Sequence, residues 1–367
     1  MELLGTNAAV TIIDQEQPGA GNANQWRVLT LRHTGGGTRA SGLTFTRGWS
    51  RHLQTYGEPG GGIGAWHSDF LLDSCILAKN ACAWAAGSAG GLYVDGAMAV
   101  VTNTLIAENQ NDSDWESYGA GIHVKGDSRL TVFDSCIVSN KNYARQGSRN
   151  IHHHGAGVCI SHIGQRWGGR TTFVNSRIVG NYFSGKGDQF GAGLASLSGN
   201  LLLRNCLVSG NAGNQDPLKT LVTGGVYVRG GAARIENGTL AGNEAEGLGL
   251  FAANNPAVEV INTIIWGHAD DIGNLPEAAF SHSCASNLTA GVQDNLAVNP
   301  RFIDAAGGDY RLDSASGGGS PCINTGTKLG WMAGATDLAG GPRIRGGRVD
   351  RGAYEYVPPA ATLLLLR

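Results

Sequence analysis

The chain has 367 residues, a formal net charge of −2 and only 15% charged residues. Because neither sign of charge dominates, the composition argues against a nucleic acid or an anionic membrane surface as the partner. No stretch reaches the 18 or more consecutive apolar residues that a membrane span requires. The opening segment, MELLGTNAAVTIID, also lacks the basic and then apolar pattern of a secretion signal. It begins directly with strand-like alternation and shows no cap for a first coil, so we expect either that the chain derives from a longer precursor or that something else provides the cap.

A short motif that opens with Asp or Asn recurs seven times along the chain. Its copies begin at Asp73, Asn103, Asp134, Asn175, Asn205, Asn237 and Asn262, at intervals of 25 to 41 residues. A glycine-led segment that alternates apolar and polar residues precedes most copies, for example GAGIHVKG from Gly119. Alternation with a period of two is typical of strands, and a repeat of this length is typical of a solenoid.

These repeats predict an all-β fold: a right-handed parallel β-helix of about eight coils with a capping region at its C-terminal end. Residues such as Ile122 and Val124 should point into the rod, where only neighbouring coils can bury them. The leading Asp or Asn of each motif should stack at one corner as an asparagine ladder. That ladder predicts burial of Asn175 and Asn205. The simpler alternative is that these residues only favour turns.

Four regions follow from the repeat. Residues 1–58 hold a degenerate first coil and a connection, residues 59–268 the regular coils, residues 269–356 a cap or anchor-type region, and residues 357–367 a tail. Insertions occur at one place in each repeat, so they should emerge as loops along one edge. The seven cysteines leave at least one unpaired within the chain. Cys284 and Cys322, outside the repeat, are the plausible pair.

The C-terminal region carries a series of short motifs. They are NPRF from Asn299, GDYRL from Gly308, SPCI from Ser320, TDL from Thr336 and DRGAYE from Asp350. In this order they resemble the end of bacterial right-handed β-helix-repeat proteins that have a choice-of-anchor Q type region. The resemblance implies an exported bacterial protein that is held at, or released from, the cell surface. The last residues, VPPAATLLLLR, are similar to the start of a C-terminal sorting signal, with an ordinary apolar tail as the alternative.

This region should also protect the end of the rod. An uncovered last coil would expose unpaired strand edges and apolar side chains. We therefore expect four large side chains to cover that end: Phe302, Tyr310, Leu312 and Tyr354.

On the glycine-led strands, the residues between the buried ones face outward. One outward row contains Tyr93, His123, Cys159, Ala195, Tyr227 and Phe251, and the next contains Asp95, Lys125, Ser161, Leu197 and Arg229. Stacked aromatic rings with polar groups between them suit a sugar chain. We predict a carbohydrate site formed by Tyr93, Asp95, Trp115, Tyr143, Tyr227 and Arg229. The alternative is that strands favour aromatic residues in any case.

A polysaccharide lyase on the same face is a second hypothesis. Its base would need a pKa lowered by neighbouring positive charge, and Lys125, Arg145 and His123 could form such a cluster. No repeated outward carboxylates are present to bind Ca²⁺, so no cofactor is predicted to be required, although a lyase could use Ca²⁺. A glycoside hydrolase would need paired carboxylates, which the strands do not supply.

The sequence thus favours an exported β-helix, monomeric and secreted or attached to the bacterial surface, that binds a polysaccharide or acts as an adhesin. Catalysis stays open. A purely structural rod is the third hypothesis.

Overall fold

The computed structural model describes residues 1–15, 27–51, 59–83, 87–113, 116–144, 152–162, 169–185, 187–213, 223–243, 247–314 and 318–358. Two of the predicted site residues, Trp115 and Arg145, lie outside these ranges. Nearly all regular structure in the described residues is β, and the long sheets are parallel throughout. The fold is therefore a parallel β-helix, as the repeat predicts.

Three core sheets run along the rod, and each coil adds one strand to each sheet. The first core sheet contains Glu2–Leu4, Thr38–Ser41, Phe70–Asp73, Met98–Thr102, Arg129–Phe133, Arg170–Val174, Asn200–Arg204, Ala232–Glu236, Ala257–Ile261 and Phe280–Ser281. The second core sheet contains Ile12–Asp14, Thr44–Thr46, Ile76–Ala78, Leu105–Ala107, Cys136–Val138, Arg177–Val179, Leu207–Ser209, Thr239–Ala241 and Ile264–Trp266. The third core sheet contains Leu29–Arg32, Ile63–Trp66, Leu92–Asp95, Ile122–Lys125, Val158–Ser161, Leu194–Ser196, Thr223–Val228, Leu248–Ala252 and Asp270–Gly273. The described strands form nine coils rather than about eight, because Glu2–Leu4, Ile12–Asp14 and Leu29–Arg32 add one strand to each core sheet before Thr38.

One apolar core fills the rod from end to end. Strands of adjacent coils pair in register, so Ile122 is opposite Val158 and Val124 is opposite Ile160. Alternate residues of a strand point to opposite faces, and in-register pairing therefore stacks inward residues on inward residues. All four of these side chains are fully buried, as predicted.

A continuous asparagine ladder is present, but the predicted position in the motif is wrong. It is formed by the residue that closes each motif: Asn80, Asn109, Asn140, Asn181, Asn211 and Asn243. Asn140 Nδ2 donates to Asn181 Oδ1 at 2.9 Å and to the Ile106 carbonyl at 3.0 Å. Its Oδ1 accepts from both the side chain and the backbone of Asn109. Full hydrogen bonding is what makes a buried amide stabilising rather than costly.

The leading Asp or Asn of the motif has a different task. Asn103, Asp134, Asn175 and Asn205 all adopt a positive φ, between 47° and 56°, at the turn from the first core sheet to the second. Asn and Asp tolerate this left-handed conformation better than most residues. Asn205 is buried, Asn175 is half-buried, and they are bonded to each other at 2.7 Å. The predicted burial is therefore confirmed for Asn205 and only partly for Asn175, and the two side chains are bonded between coils within a turn-forming row.

The insertions are not simple loops. They stack into two further parallel sheets beside the rod. The first insertion sheet contains Trp49–Arg51, Ala81–Ala83, Gln110–Ser113, Lys141–Ala144 and Tyr182–Gly185. The second insertion sheet contains Gly87–Ser88, Ser117–Tyr118, His152–His154 and Asp188–Phe190. Successive insertions occupy the same position in the coil, so their backbones can pair at the same spacing as the core strands.

The end of the core is closed by the chain that directly follows the last full coil. Leu288 is buried there, and Leu275 and Ala279 are partly buried against the core. Two short 3₁₀ helices, Glu277–Ala279 and Val292–Asp294, belong to this segment.

No helix within the described ranges is long and apolar enough to cross a membrane.

The four side chains predicted to cover the last coil lie elsewhere, so that prediction is wrong. Phe302, Tyr310, Leu312 and Tyr354 pack on the outer face of the second core sheet. That face is apolar in the last coils, where Leu207 and Ile264 point outward and become buried under the tail. The strand pair Phe302–Asp304 and Asp309–Leu312 and the 3₁₀ helix Gly330–Met332 belong to this covering layer. Cys284 and Cys322 are buried in the same cluster as Leu312.

The leading asparagines of the last coils bind the tail. Asn205 Nδ2 donates to the Thr336 carbonyl at 3.0 Å, and Asn262 Nδ2 to the Thr327 carbonyl at 2.7 Å. The fully buried guanidinium of Arg343 donates to Asn205 Oδ1 at 3.2 Å. The turn row thus positions the C-terminal region along the side of the rod.

Candidate functional site

The outward row predicted on the third core sheet exists in the structure. Tyr93 pairs with His123, His123 with Cys159, and Ala195 with Tyr227, each in the adjacent coil. All of these residues occupy positions between the buried apolar ones and point away from the core. The alternation in the sequence therefore predicted their direction correctly.

The predicted sugar-binding surface of this row is nevertheless covered. Tyr93 and His123 are each 3% exposed and Tyr227 is 5% exposed. Tyr118, from the second insertion sheet, stacks on His123 with ring centroids 5.4 Å apart, and Phe190 from the same sheet lies 4.8 Å from Tyr227. A sugar would need a free ring face, and these faces are occupied by other rings. The prediction that Tyr93 and Tyr227 stack on sugar is corrected accordingly.

The rings of the two layers form one continuous aromatic stack. On the second insertion sheet Tyr118, His154 and Phe190 are stacked in adjacent strands at 5.5 and 5.1 Å. On the third core sheet Trp66 lies 5.4 Å from Tyr93 and Tyr93 lies 5.5 Å from His123. Buried aromatic pairs stabilise through both area and ring geometry. This stack is a second, lateral core.

Burial also removes the positive charge that the lyase hypothesis assigned to His123. Burial, assisted by the charge of Lys125 and by His162, lowers the pKa of His123 to about 3. His123 Nε2 and Ser161 Oγ are joined by a hydrogen bond of 2.6 Å. The pKa of His154 is likewise lowered to about 3 by burial. Both imidazoles are neutral at neutral pH, so the predicted cationic cluster does not include them.

The remaining predicted residues that the structure describes do not converge on one site. Asp95 accepts a hydrogen bond from the Tyr93 hydroxyl at 3.0 Å, and Lys125, its partner in the next coil, is exposed. Arg229 is exposed next to Tyr227, four coils from Tyr93. Tyr143 lies on the first insertion sheet, where Lys141 Nζ is 5.1 Å from its ring centroid.

No cluster of three or more His, Cys, Asp or Glu side chains suited to a metal ion occurs in the described part of the chain. The role of Ca²⁺ stays a prediction of the lyase hypothesis.

An open groove lies instead on the outer face of the first core sheet. Two adjoining depressions of about 490 Å³ each share Arg170 and Asn200 in their walls. The groove is lined by outward side chains from consecutive strands: Arg129, Thr131, Arg170, Thr172, Asn200, Leu202, Arg204, Arg234 and Glu259. Register places Arg129 opposite Arg170 and Thr131 opposite Thr172. The groove therefore runs across several coils and is rich in hydrogen-bonding groups.

The two ends of the groove differ in charge. Glu236 is almost fully buried, and its carboxylate accepts from Arg204 Nε at 2.7 Å and from Arg234 Nε at 2.5 Å. Glu259 forms a further ion pair with Arg234. Arg204 also lies over the Trp331 ring, 4.9 Å from its centroid, at the edge of the tail. At this end two guanidinium groups are neutralised by two carboxylates.

At the other end, Arg129 and Arg170 are exposed and form no ion pair within the described ranges. The sequence contains a pattern that could have indicated this site, but it lies on the first core sheet and not on the glycine-led strands where the site was predicted. Two consecutive coils carry Arg-x-Thr ahead of the motif, as RLTVFD from Arg129 and RTTFVN from Arg170. Residues two apart on a strand share a face, so each Arg and its Thr point the same way.

Comparison of the chain with protein-family models, with curated proteins and with solved structures gives no match.

Proposed function

We propose that the protein is an exported, surface-attached or secreted β-helix that binds a carbohydrate chain in the groove of the first core sheet. The observation that carries the proposal is the open row of hydrogen-bonding side chains there. Thr131 and Thr172 are half-buried and Asn200 is exposed, all on one face. Sugar hydroxyls both donate and accept hydrogen bonds, and these side chains offer both functions.

The shape of the groove favours a linear polymer over a small ligand. It is an open depression that continues from the strand of Arg129 to the strand of Glu259. Strands are spaced about 4.8 Å apart, so each coil presents the same groups at a regular interval. A chain of sugar residues has a comparable repeat and could contact several coils at once.

Export and surface attachment rest on the C-terminal motifs and their resemblance to choice-of-anchor Q type regions. Phe302, Tyr310, Leu312 and Tyr354 pack on the second core sheet, at the side of the rod, and so leave the groove of the first core sheet open. A polysaccharide lyase is the alternative, and the neutral state of His123 weakens it because the proposed base would lose one of its positive neighbours.

Binding in the groove is tested by removing two threonine hydroxyl groups while keeping the shape of the side chains. Thr131→Val with Thr172→Val keeps two β-branched side chains and removes two hydrogen-bonding groups. A hydrogen bond contributes about 0.5–1.5 kcal/mol, so affinity for a retained glycan should fall about tenfold. Affinity is measured by calorimetry after a glycan array has identified ligands.

Thr46→Val, on the outer face of the second core sheet, is the matched control and should leave binding unchanged. Equal affinity of the double variant and the wild type would exclude this groove as the binding site. A parallel assay for unsaturated uronide products separates binding from the lyase alternative.

A further inference from the structure

We infer that the Arg129–Arg170 end of the groove selects an anionic sugar, one that carries carboxylate or sulfate groups. This inference rests on the proposed function and names the class of glycan. Arg129 and Arg170 are direct partners in adjacent parallel strands. Because the backbones of the two residues are at strand spacing, their exposed guanidinium groups can come close enough to repel each other, and a bound anion would reduce that repulsion.

The opposite end of the same groove provides an internal comparison. There the sheet supplies its own carboxylates, Glu236 and Glu259, to Arg204 and Arg234. Arg204 and Arg234 thus form ion pairs with carboxylates of the chain itself. Arg129 and Arg170, at the other end, have no carboxylate partner among the described residues. A ligand carboxylate or sulfate can take the place that Glu236 takes in the neutral half.

The chemistry of the side chains fits an acidic sugar better than an isolated ion. A guanidinium group binds carboxylate and sulfate oxygens through two parallel N–H donors. Thr131 and Thr172 lie two residues further along the same strands and can bond the neutral hydroxyls of the same chain. Charge and hydroxyl recognition are thus combined on one face over two coils.

The test compares acidic polysaccharides with their neutral counterparts on the full chain. The probes are polygalacturonate and alginate, each beside its carboxyl-reduced form, and chondroitin sulfate beside its desulfated, carboxyl-reduced form. We expect at least one acidic polymer to bind ten or more times more tightly than its neutral form, with an affinity that falls as salt is raised. Arg129→Gln with Arg170→Gln should abolish this preference and leave the weaker neutral binding.

A control variant separates the groove from a general charge effect. Lys79→Gln with Arg348→Gln removes two positive charges from exposed positions outside the groove and should retain the full preference. Equal affinities for every acidic and neutral pair, or an unchanged preference in the Arg129 and Arg170 variant, would overturn the inference while leaving carbohydrate binding in place. Absence of binding to every probe and every arrayed glycan would overturn the proposed function itself.

Discussion

The outer faces of the first and third core sheets follow the same rules of register and alternation, yet one is exposed to solvent and the other is buried. On the third sheet, outward His123 and Tyr227 are covered by rings of the second insertion sheet, and outward Tyr93 is equally buried. On the first sheet, outward Arg129 and Arg170 remain exposed. The inserted strands lie between the second and third core strands of a coil, and those of the second insertion sheet pack against the third core sheet. In a β-helix, the place of the insertions therefore decides which face can bind a ligand.

The difference also has an electrostatic side. Where rings cover rings, histidines lose water and become neutral, as His123 and His154 do. Where the face is open, the guanidinium groups of Arg129 and Arg170 stay in contact with water. Aromatic residues on an outward row are therefore a poor guide to sugar binding when neighbouring insertions also carry aromatic residues.

The largest expected effect tests whether the covered face is a core. Tyr227→Ala should destabilise the protein by about 3–5 kcal/mol, as expected for truncating a buried aromatic side chain. Its ring lies between Phe190 and Phe251, at 4.8 and 5.9 Å. Urea denaturation measures the change. Tyr182→Ala, at a ring that is 39% exposed, is the control and should cost less than 1 kcal/mol. A similar small loss for Tyr227→Ala would show that the face is not a core.

The second prediction concerns the pH dependence of stability that the buried His154 causes. The folded-state pKa of His154, about 3, lies below its unfolded value near 6.5, so the unfolded chain binds more protons between these values. Stability contributed by the neutral ring is complete above pH 6.5 and decreases as pH falls toward 3. His154→Phe keeps a ring between Tyr118 and Phe190 and removes this titration. Between pH 7 and 4 the wild type should lose about 3 kcal/mol more of its unfolding free energy than the variant. Parallel curves from denaturant titrations would contradict the buried, neutral state.

The third prediction tests whether the asparagine ladder contributes to stability alone or also to glycan binding in the groove. Asn181 is fully buried in the ladder, bonded to Asn211 Oδ1 at 2.9 Å and to the Ile137 carbonyl at 3.0 Å. Asn181→Leu should destabilise by about 1–3 kcal/mol because its partners are left unsatisfied. Thermal unfolding provides the measurement. Glycan affinity below the transition should be unchanged, and a combined loss of affinity would connect the ladder to the groove.

The smallest expected effect concerns Lys125, an exposed cation of the covered face. Lys125→Ala should change glycan affinity less than twofold, because the residue lies on a different sheet from the groove. Abolished product formation in this variant, or in Arg145→Ala, would instead indicate a lyase on the third-sheet side. Assays of binding and of unsaturated products, run on the same preparations, separate these outcomes.

Part of the candidate site could be predicted from the sequence. The direction of Tyr93, His123 and Tyr227 followed from a period of two, and that of Arg129 and Arg170 follows from the same rule. Their exposure could not be predicted in this way, because alternation states which side of a sheet a residue faces and not what packs on that side. The covering rings come from the inserted strands: Tyr118 stacks on His123 of the strand that follows it in the same coil, and Phe190 lies against Tyr227 of the next coil.

What the sequence by itself determined is the local, repeated part of the structure. The motif spacing and the alternation specify a parallel β-helix, its inward rows and its register, because each coil needs its neighbours to bury the same face. Only the tertiary structure decided which asparagine of each motif forms the ladder, since both are compatible with a turn and only one is buried along the whole rod. It also decided that the insertions pair into sheets and that the tail binds the side of the second core sheet. Those outcomes depend on docking between segments far apart in the chain, where surface complementarity rather than periodicity selects the partner.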